Sequence, residues 1–144
     1  MGQKSVITVA AVTDITFREL RAGCEKGVLQ ENAWTQTGVF RVQPGGGVPA
    51  HLHLMVHDLF VGVKGQLEIR YEGELGNGLF VLKPGAFCSV PPGVRHEVFN
   101  ASKTDEAFFL LVHTSYDQFN NLPAPFRTIE AALPFAPRTS GEES

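Results

Sequence analysis

The chain has 144 residues, a net charge of −3 and 19% charged residues, which suits one compact domain with a hydrophobic core. It has no Lys/Arg run or basic patch, so we expect no nucleic-acid partner, and its longest apolar run, AFFLLV, is too short to span a bilayer, so we expect no membrane partner. The N-terminus lacks a signal-peptide core and Cys24 and Cys88 form no CxxC pair, which favours reduced thiols in a cytoplasmic protein.

Short strand-like segments, each bounded by turn residues, follow one another along the chain. In chain order they are residues 5–10, 38–42, 58–63, 66–71, 79–82, 87–90, 95–99 and 107–114. Weak helical patterns at 17–24 and 125–133 predict minor terminal helices, and the polar tail 139–144 is expected to be disordered. The pattern therefore predicts a single all-β domain over residues 1–138, folded as a small antiparallel barrel or sandwich.

The octapeptide HLHLMVHD contains three of the five histidines and one aspartate. His51 and His53 are two residues apart, so on a strand they share a face with Cα atoms ~6.6 Å apart, close enough to bind one ion. On a straight strand His57 would lie ~13 Å from His53, too far to share that ion. A metal site that includes His57 or Asp58 therefore requires a turn or bulge at 54–56. Since adjacent strand residues face opposite ways, only one of this pair is expected to bind unless the backbone is distorted.

Two motifs with fixed glycines and prolines surround these histidines. Residues 45–65 read G(x)5HxH(x)4D(x)6G, and residues 85–100 read G(x)5PxG(x)2H(x)3N. The pair resembles the two signature motifs of the cupin family, with Asp58 in place of the expected glutamate. The resemblance implies a small single-domain cupin, an antiparallel double-stranded β-helix or jelly-roll barrel. It also implies a metal inside the barrel, bound by His51, His53, an acidic residue and His96.

The exchange of glutamate for aspartate leaves two ligand sets open. Aspartate is one methylene shorter, so Asp58 could fall short of the ion, and a turn shifted by one residue would then bring in His57. We favour four histidine ligands, with Asp58 as a general base or as a residue that holds a ligand imidazole. That set is His51, His53, His57 and His96, and the alternative replaces His57 by Asp58. We expect one divalent ion, zinc first, with iron, nickel or manganese as alternatives.

A four-histidine cupin of this size resembles the aromatic polyketide cyclases of the resistomycin type. The resemblance implies an enzyme of antibiotic biosynthesis that folds a poly-β-keto chain and closes its rings by aldol condensation and dehydration, with the metal as Lewis acid. Arg41 is a candidate contact for that substrate. Two alternatives stay open: a cupin dioxygenase with a redox metal such as iron, which ligation by Asp58 would favour, and a non-enzymatic small-molecule-binding cupin.

Three further expectations concern assembly and single residues. A homodimer is expected, with the apolar N-terminal strand pairing or packing across a two-fold axis. Asn100 is expected to play a structural role at a strand end. His113 is expected to be an ordinary hydrogen-bonded histidine.

Overall fold

The computed structural model describes residues 11, 14–115, 130–131 and 135. Its strands are β1 (Arg18–Arg21), β2 (Cys24–Glu31), β3 (Thr35–Val42), β4 (Gly47–Leu52), β5 (Val56–Lys64), β6 (Leu67–Gly73), β7 (Gly76–Leu82), β8 (Phe87–Val90), β9 (Arg95–Phe99), β10 (Ala107–Ser115) and β11 (Glu130–Ala131). Within these residues the structure contains no helix long and apolar enough to cross a membrane.

The strands form two antiparallel sheets, with strand orders β1-β2-β3-β10-β5-β8 and β11-β4-β9-β6-β7. Their inner faces share one hydrophobic core, in which Phe60 and Phe109 from the first sheet meet Leu67 and Ile69 from the second. Phe109 also stacks on Phe40, with ring centroids 4.7 Å apart. These contacts confirm the predicted all-β barrel.

The helix predicted over residues 17–24 is wrong, because this segment forms β1 and the first residue of β2. The two strands pair through a tight turn in which Gly23 adopts a positive φ of 81°. Cys24 is fully buried in the core, so sheet pairing and burial outweigh the weak helical pattern. Of the helix predicted over 125–133, the described residues 130–131 form a strand instead, paired with β4.

Three other sequence-based expectations lie outside the described residues. They are the first strand at 5–10, the homodimer contact that this strand was expected to make, and the tail at 139–144. Each of them stays a prediction.

The inner face of the first sheet changes from apolar to polar along its strands. Leu111 on β10 lies opposite Gly38 and Phe60, which makes an apolar row. Two residues further along β10, His113 lies opposite Gln36 on one side and Asp58 on the other. Cross-strand neighbours share a face, so the polar row continues the core surface and places chemically active groups inside the barrel.

Asn100 ties three backbone segments together at the end of β9. Its side chain is fully buried, and Nδ2 donates to the carbonyls of Val42 (3.0 Å) and Asp105 (2.9 Å). Its Oδ1 accepts a hydrogen bond from the backbone N–H of Ser102 at 3.0 Å. These bonds give Asn100 the structural role expected of it.

We predict that Asn100→Ala lowers the free energy of unfolding by about 3 kcal/mol, because it leaves buried carbonyls without a donor. Asn77→Ala, at an exposed position of β7, is the matched control and should change stability by less than about 0.5 kcal/mol. Urea denaturation of both variants measures the difference. Equal effects would contradict the structural role of Asn100.

Candidate metal centre

Four buried side chains converge inside the barrel: His51, His53, Asp58 and His96. Each offers one potential ligand atom, and these atoms all lie within 4.8 Å of one another. His51 on β4 and His96 on β9 are cross-strand partners, with ring centroids 4.2 Å apart. Both cupin-like motifs therefore contribute to a single cluster.

A bend between β4 and β5 brings the two halves of the HLHLMVHD segment together. β4 ends at Leu52 and β5 begins at Val56, so the predicted turn is present as a bend at Leu54 and Met55, while Val56 already belongs to β5. The backbone N–H of Gly93, in the loop before β9, donates to the carbonyl of His53 at 2.7 Å. This bond links the residue that follows β4 to the loop that carries the chain toward His96.

Asp58, and not His57, enters the cluster. On β5 the alternate residues Val56, Asp58 and Phe60 are buried, with Asp58 only 1% exposed, while His57 is half-buried on the other face. The shorter aspartate side chain is long enough, because Asp58 Oδ2 lies 3.1 Å from Nε2 of both His53 and His96. The geometry thus favours Asp58 over His57 as a ligand, because the phase of β5 turns the His57 side chain away from the other histidines.

Two of the histidines are each oriented by a backbone carbonyl two residues earlier in the chain. Nδ1 of His51 donates to the carbonyl of Pro49 at 2.7 Å, and Nδ1 of His96 donates to the carbonyl of Val94 at 2.9 Å. With the hydrogen on Nδ1, each Nε2 keeps its lone pair. A carbonyl that holds the distal N–H is the arrangement by which proteins orient metal-binding imidazoles.

His53 supplies the clearest sign of a missing partner. Both of its ring nitrogens are buried, and neither has a hydrogen-bond partner among the residues that the structure describes. The 3.1 Å approach of Nε2 to Asp58 lacks the direction of a hydrogen bond. Because burying an unpartnered imidazole is costly, a cation that accepts the nitrogen lone pair resolves the defect. The buried three-histidine, one-aspartate cluster therefore fits a divalent metal ion.

The charges of the cluster also suit a cation. Burial, followed by the neighbouring His96, lowers the pKa of His51 to about 4, so this imidazole is neutral at pH 7 and can act as a ligand. Burial opposes ionisation of Asp58, but contacts with His113, His53 and His96 hold its pKa well below the usual value. The barrel thus contains a buried negative charge, which proteins pair with a cation or a metal.

Two residues behave differently from the sequence-based expectation. Arg41 lies between the buried Phe40 and Val42, so strand alternation places it on the outer face, where its guanidinium binds Glu25 at 2.7–3.0 Å. This placement does not favour Arg41 as a substrate contact, and that role stays a prediction. His113, expected to be ordinary, has Nδ1 2.8 Å from Asp58 Oδ1. Only the register of β10 against β5 reveals this contact, and sequence spacing does not carry that register.

The two antiparallel sheets and the cluster of three histidines and a carboxylate together define the class of protein. It is a β-barrel with a candidate metal site in its interior. The match to the family described as Cupin domain covers residues 38–113, more than half of the chain and all four clustered residues. The chain belongs to the cupin family.

Comparison with individual proteins gives the same picture. Oxalate oxidase GF-3.8 of Triticum aestivum is 27% identical over 117 residues, which is 78% of this chain and 49% of that protein, so the chain spans about half the length of this relative. TT1209 from Thermus thermophilus superposes with a TM-score of 0.65 at 20% identity, over 76% of this chain and 98% of its own. Recombinant oxalate oxidase in complex with glycolate gives 0.61 at 21% identity, over 74% and 58%. At these identities the two structures support the fold alone.

We predict that Asp58→Asn weakens binding of a divalent ion by at least about 100-fold, because it removes the anionic ligand. His57→Asn changes the neighbouring residue on the opposite face and should leave affinity within about two-fold. Titration of chelator-treated protein with Co²⁺ measures both variants. The opposite ranking would restore the four-histidine ligand set.

We also predict that the metal-free protein loses stability as the pH falls from 6.5 to about 4. The pKa of His51 is about 4 in the folded chain against 6.5 as the ordinary value, so the unfolded state takes up the proton first and is favoured. The expected loss is on the order of 3 kcal/mol. The depressed pKa of Asp58 acts in the same direction at lower pH, since its contribution disappears as the pH falls through its folded value. Urea denaturation across this range should show a shallower pH dependence for His51→Asn than for the unaltered chain, and equal slopes would contradict the assignment.

Proposed function

We propose that this cupin is a metal-dependent oxidase of a small organic acid, with one divalent ion held by His51, His53, Asp58 and His96. The observation that carries the proposal is the presence of Asp58 in the histidine cluster. A mixed set of imidazoles and a carboxylate is typical of redox-active iron and also suits manganese, whereas an all-imidazole set has no such preference. The 27% identical relative named oxalate oxidase supports the same direction.

The ion, when bound, supplies Lewis acidity and, as iron or manganese, one-electron chemistry toward dioxygen. With Asp58 in the ligand set, iron or manganese is the proposed metal, in place of the zinc that we expected first from the sequence. If such an ion were six-coordinate, these four residues would leave positions on it for substrate.

The chain's own residues set the charge of the site. Asp58 neutralises one of the two positive charges of a divalent ion, and His51 is neutral at pH 7 because burial lowers its pKa to about 4. One net positive charge therefore remains in a buried place, where it attracts an anion strongly. A carboxylate substrate fits this charge better than a neutral polyketone does.

Burial sets the size of the substrate. The four clustered residues are each no more than 8% exposed. Phe60 closes the apolar side of the cluster, with its ring edge-on to His96 at a centroid distance of 5.9 Å. Leu54 and Met55, in the turn beside His53, are exposed. Burial this deep favours a substrate of a few heavy atoms.

The proposed reaction balances with dioxygen as the oxidant. For a two-carbon dicarboxylic acid, the bond between the two carboxyl carbons breaks and both carbons leave as carbon dioxide. The two electrons of that bond and two protons reduce dioxygen to hydrogen peroxide. The net change is one acid and one dioxygen to two carbon dioxide and one hydrogen peroxide.

The polyketide cyclase expected from the sequence stays a prediction with weaker support. It depended on four neutral imidazoles that keep the full charge of a redox-silent ion, and the cluster contains Asp58 instead. None of the relatives compared above is named as a cyclase. Ring closure on a poly-β-ketone by zinc-loaded protein, without oxygen uptake, would favour the cyclase over the oxidase.

We predict oxygen uptake with oxalate when the metal-free protein is reloaded with Mn²⁺ or Fe²⁺, and at least about 100-fold less with Zn²⁺, which has no redox chemistry. An oxygen electrode with a peroxide assay measures the reaction. Asp58→Asn should abolish uptake, and His57→Asn should retain it. Absence of oxygen uptake with oxalate for every metal would overturn the proposal.

A further inference from the structure

A fifth side chain reaches the cluster without belonging to the four candidate ligands. Nδ1 of His113 lies 2.8 Å from Asp58 Oδ1, a contact at ion-pair distance that, like the approach of His53, lacks the direction of a hydrogen bond, while the other carboxylate oxygen, Oδ2, faces Nε2 of His53 and His96 at 3.1 Å. The two oxygens of one carboxylate therefore have separate neighbours. Oδ2 faces His53 and His96, and Oδ1 faces His113, whose ring centroid lies 5.5 Å from that of His53.

The backbone fixes His113 in this place. β10 pairs with β3 on one side and with β5 on the other, and His113 is the direct cross-strand partner of Asp58. Two residues later, Ser115 Oγ donates to the carbonyl of Met55 at 3.2 Å, which attaches the end of β10 to the turn before β5. A side chain held by a central strand of the sheet loses little further entropy in keeping its contact.

We infer that His113 is a positioning residue for the metal centre: it holds Asp58 Oδ1 away from the ion, so that Asp58 binds through Oδ2 alone. The inference rests on the proposed function, because it requires an ion in the cluster. Single-oxygen binding keeps one more coordination position open for substrate than binding through both oxygens. His113 thus acts on the reaction through Asp58 and does not touch the ion.

Substitutions of similar size at His113 distinguish a positioning role from a role in folding. His113→Leu removes both ring nitrogens and puts an apolar side chain of similar size in their place. His113→Asn places an amide nitrogen close to the position of Nδ1, and His113→Gln places one close to Nε2. His57→Leu is the matched control, since His57 lies beside Asp58 on the opposite face of β5.

The test is titration of the chelator-treated full chain with Co²⁺, with affinity and visible absorption as readouts. We expect His113→Leu to bind Co²⁺ about 10–100-fold more weakly and with a changed absorption intensity, which reports the number of ligands. His113→Asn should restore both toward the unaltered chain, and His57→Leu should change neither.

Three results would overturn the inference. His113→Leu with unchanged affinity and spectrum would show that Asp58 needs no support. If His113→Leu does not fold, equal behaviour of His113→Asn and His113→Gln would show that the Nδ1 position is immaterial. Failure of the unaltered chain to bind Co²⁺ at all would remove the proposed metal site itself and the inference with it.

Discussion

The metal centre depends on one constraint: a carboxylate, Asp58, is buried inside an apolar barrel and surrounded by imidazoles. An ionised group in such a place is stable only with a compensating positive charge. The neighbouring rings cannot all supply that charge as protons, because burial keeps His51 neutral at pH 7, with a pKa of about 4. A divalent ion between Asp58 and the histidines meets the need of the carboxylate and of the unpartnered His53 at once.

The rest of the fold keeps water away from the buried cluster and orients its side chains. Three aromatic rings, those of Phe40, Phe60 and Phe109, fill the core below the cluster and exclude water from that side. Central strand β10 brings His113 to the outer oxygen of Asp58, and local backbone carbonyls turn the Nε2 atoms of His51 and His96 inward. Strands of both sheets therefore carry His51, Asp58 and His96, and the first sheet also carries His113, the group that orients Asp58. Rigid strands of this kind keep a metal site precise.

Part of this arrangement could be predicted from the sequence. The spacing of His51 and His53 and the motif around His96 identified three of the four clustered residues, and the turn at 54–56 followed from distance alone. The choice between His57 and Asp58 could not be made, because it depends on which face β5 presents after a turn that has no glycine or proline to define its shape. The position of Arg41 was open to prediction, since it alternates with the buried Phe40 and Val42. The contact of His113 was not, because it depends on the pairing of two strands that lie far apart in the chain, and local spacing does not encode such non-local pairing.

The most direct test of the central claim is a crystal structure of the protein loaded with Mn²⁺ or Fe²⁺, with the ion located by its anomalous scattering. We expect one peak inside the barrel, about 2.0–2.3 Å from Nε2 of His51, His53 and His96 and from Oδ2 of Asp58. A peak bound by His57, or no peak in the barrel at full loading, would contradict the claim.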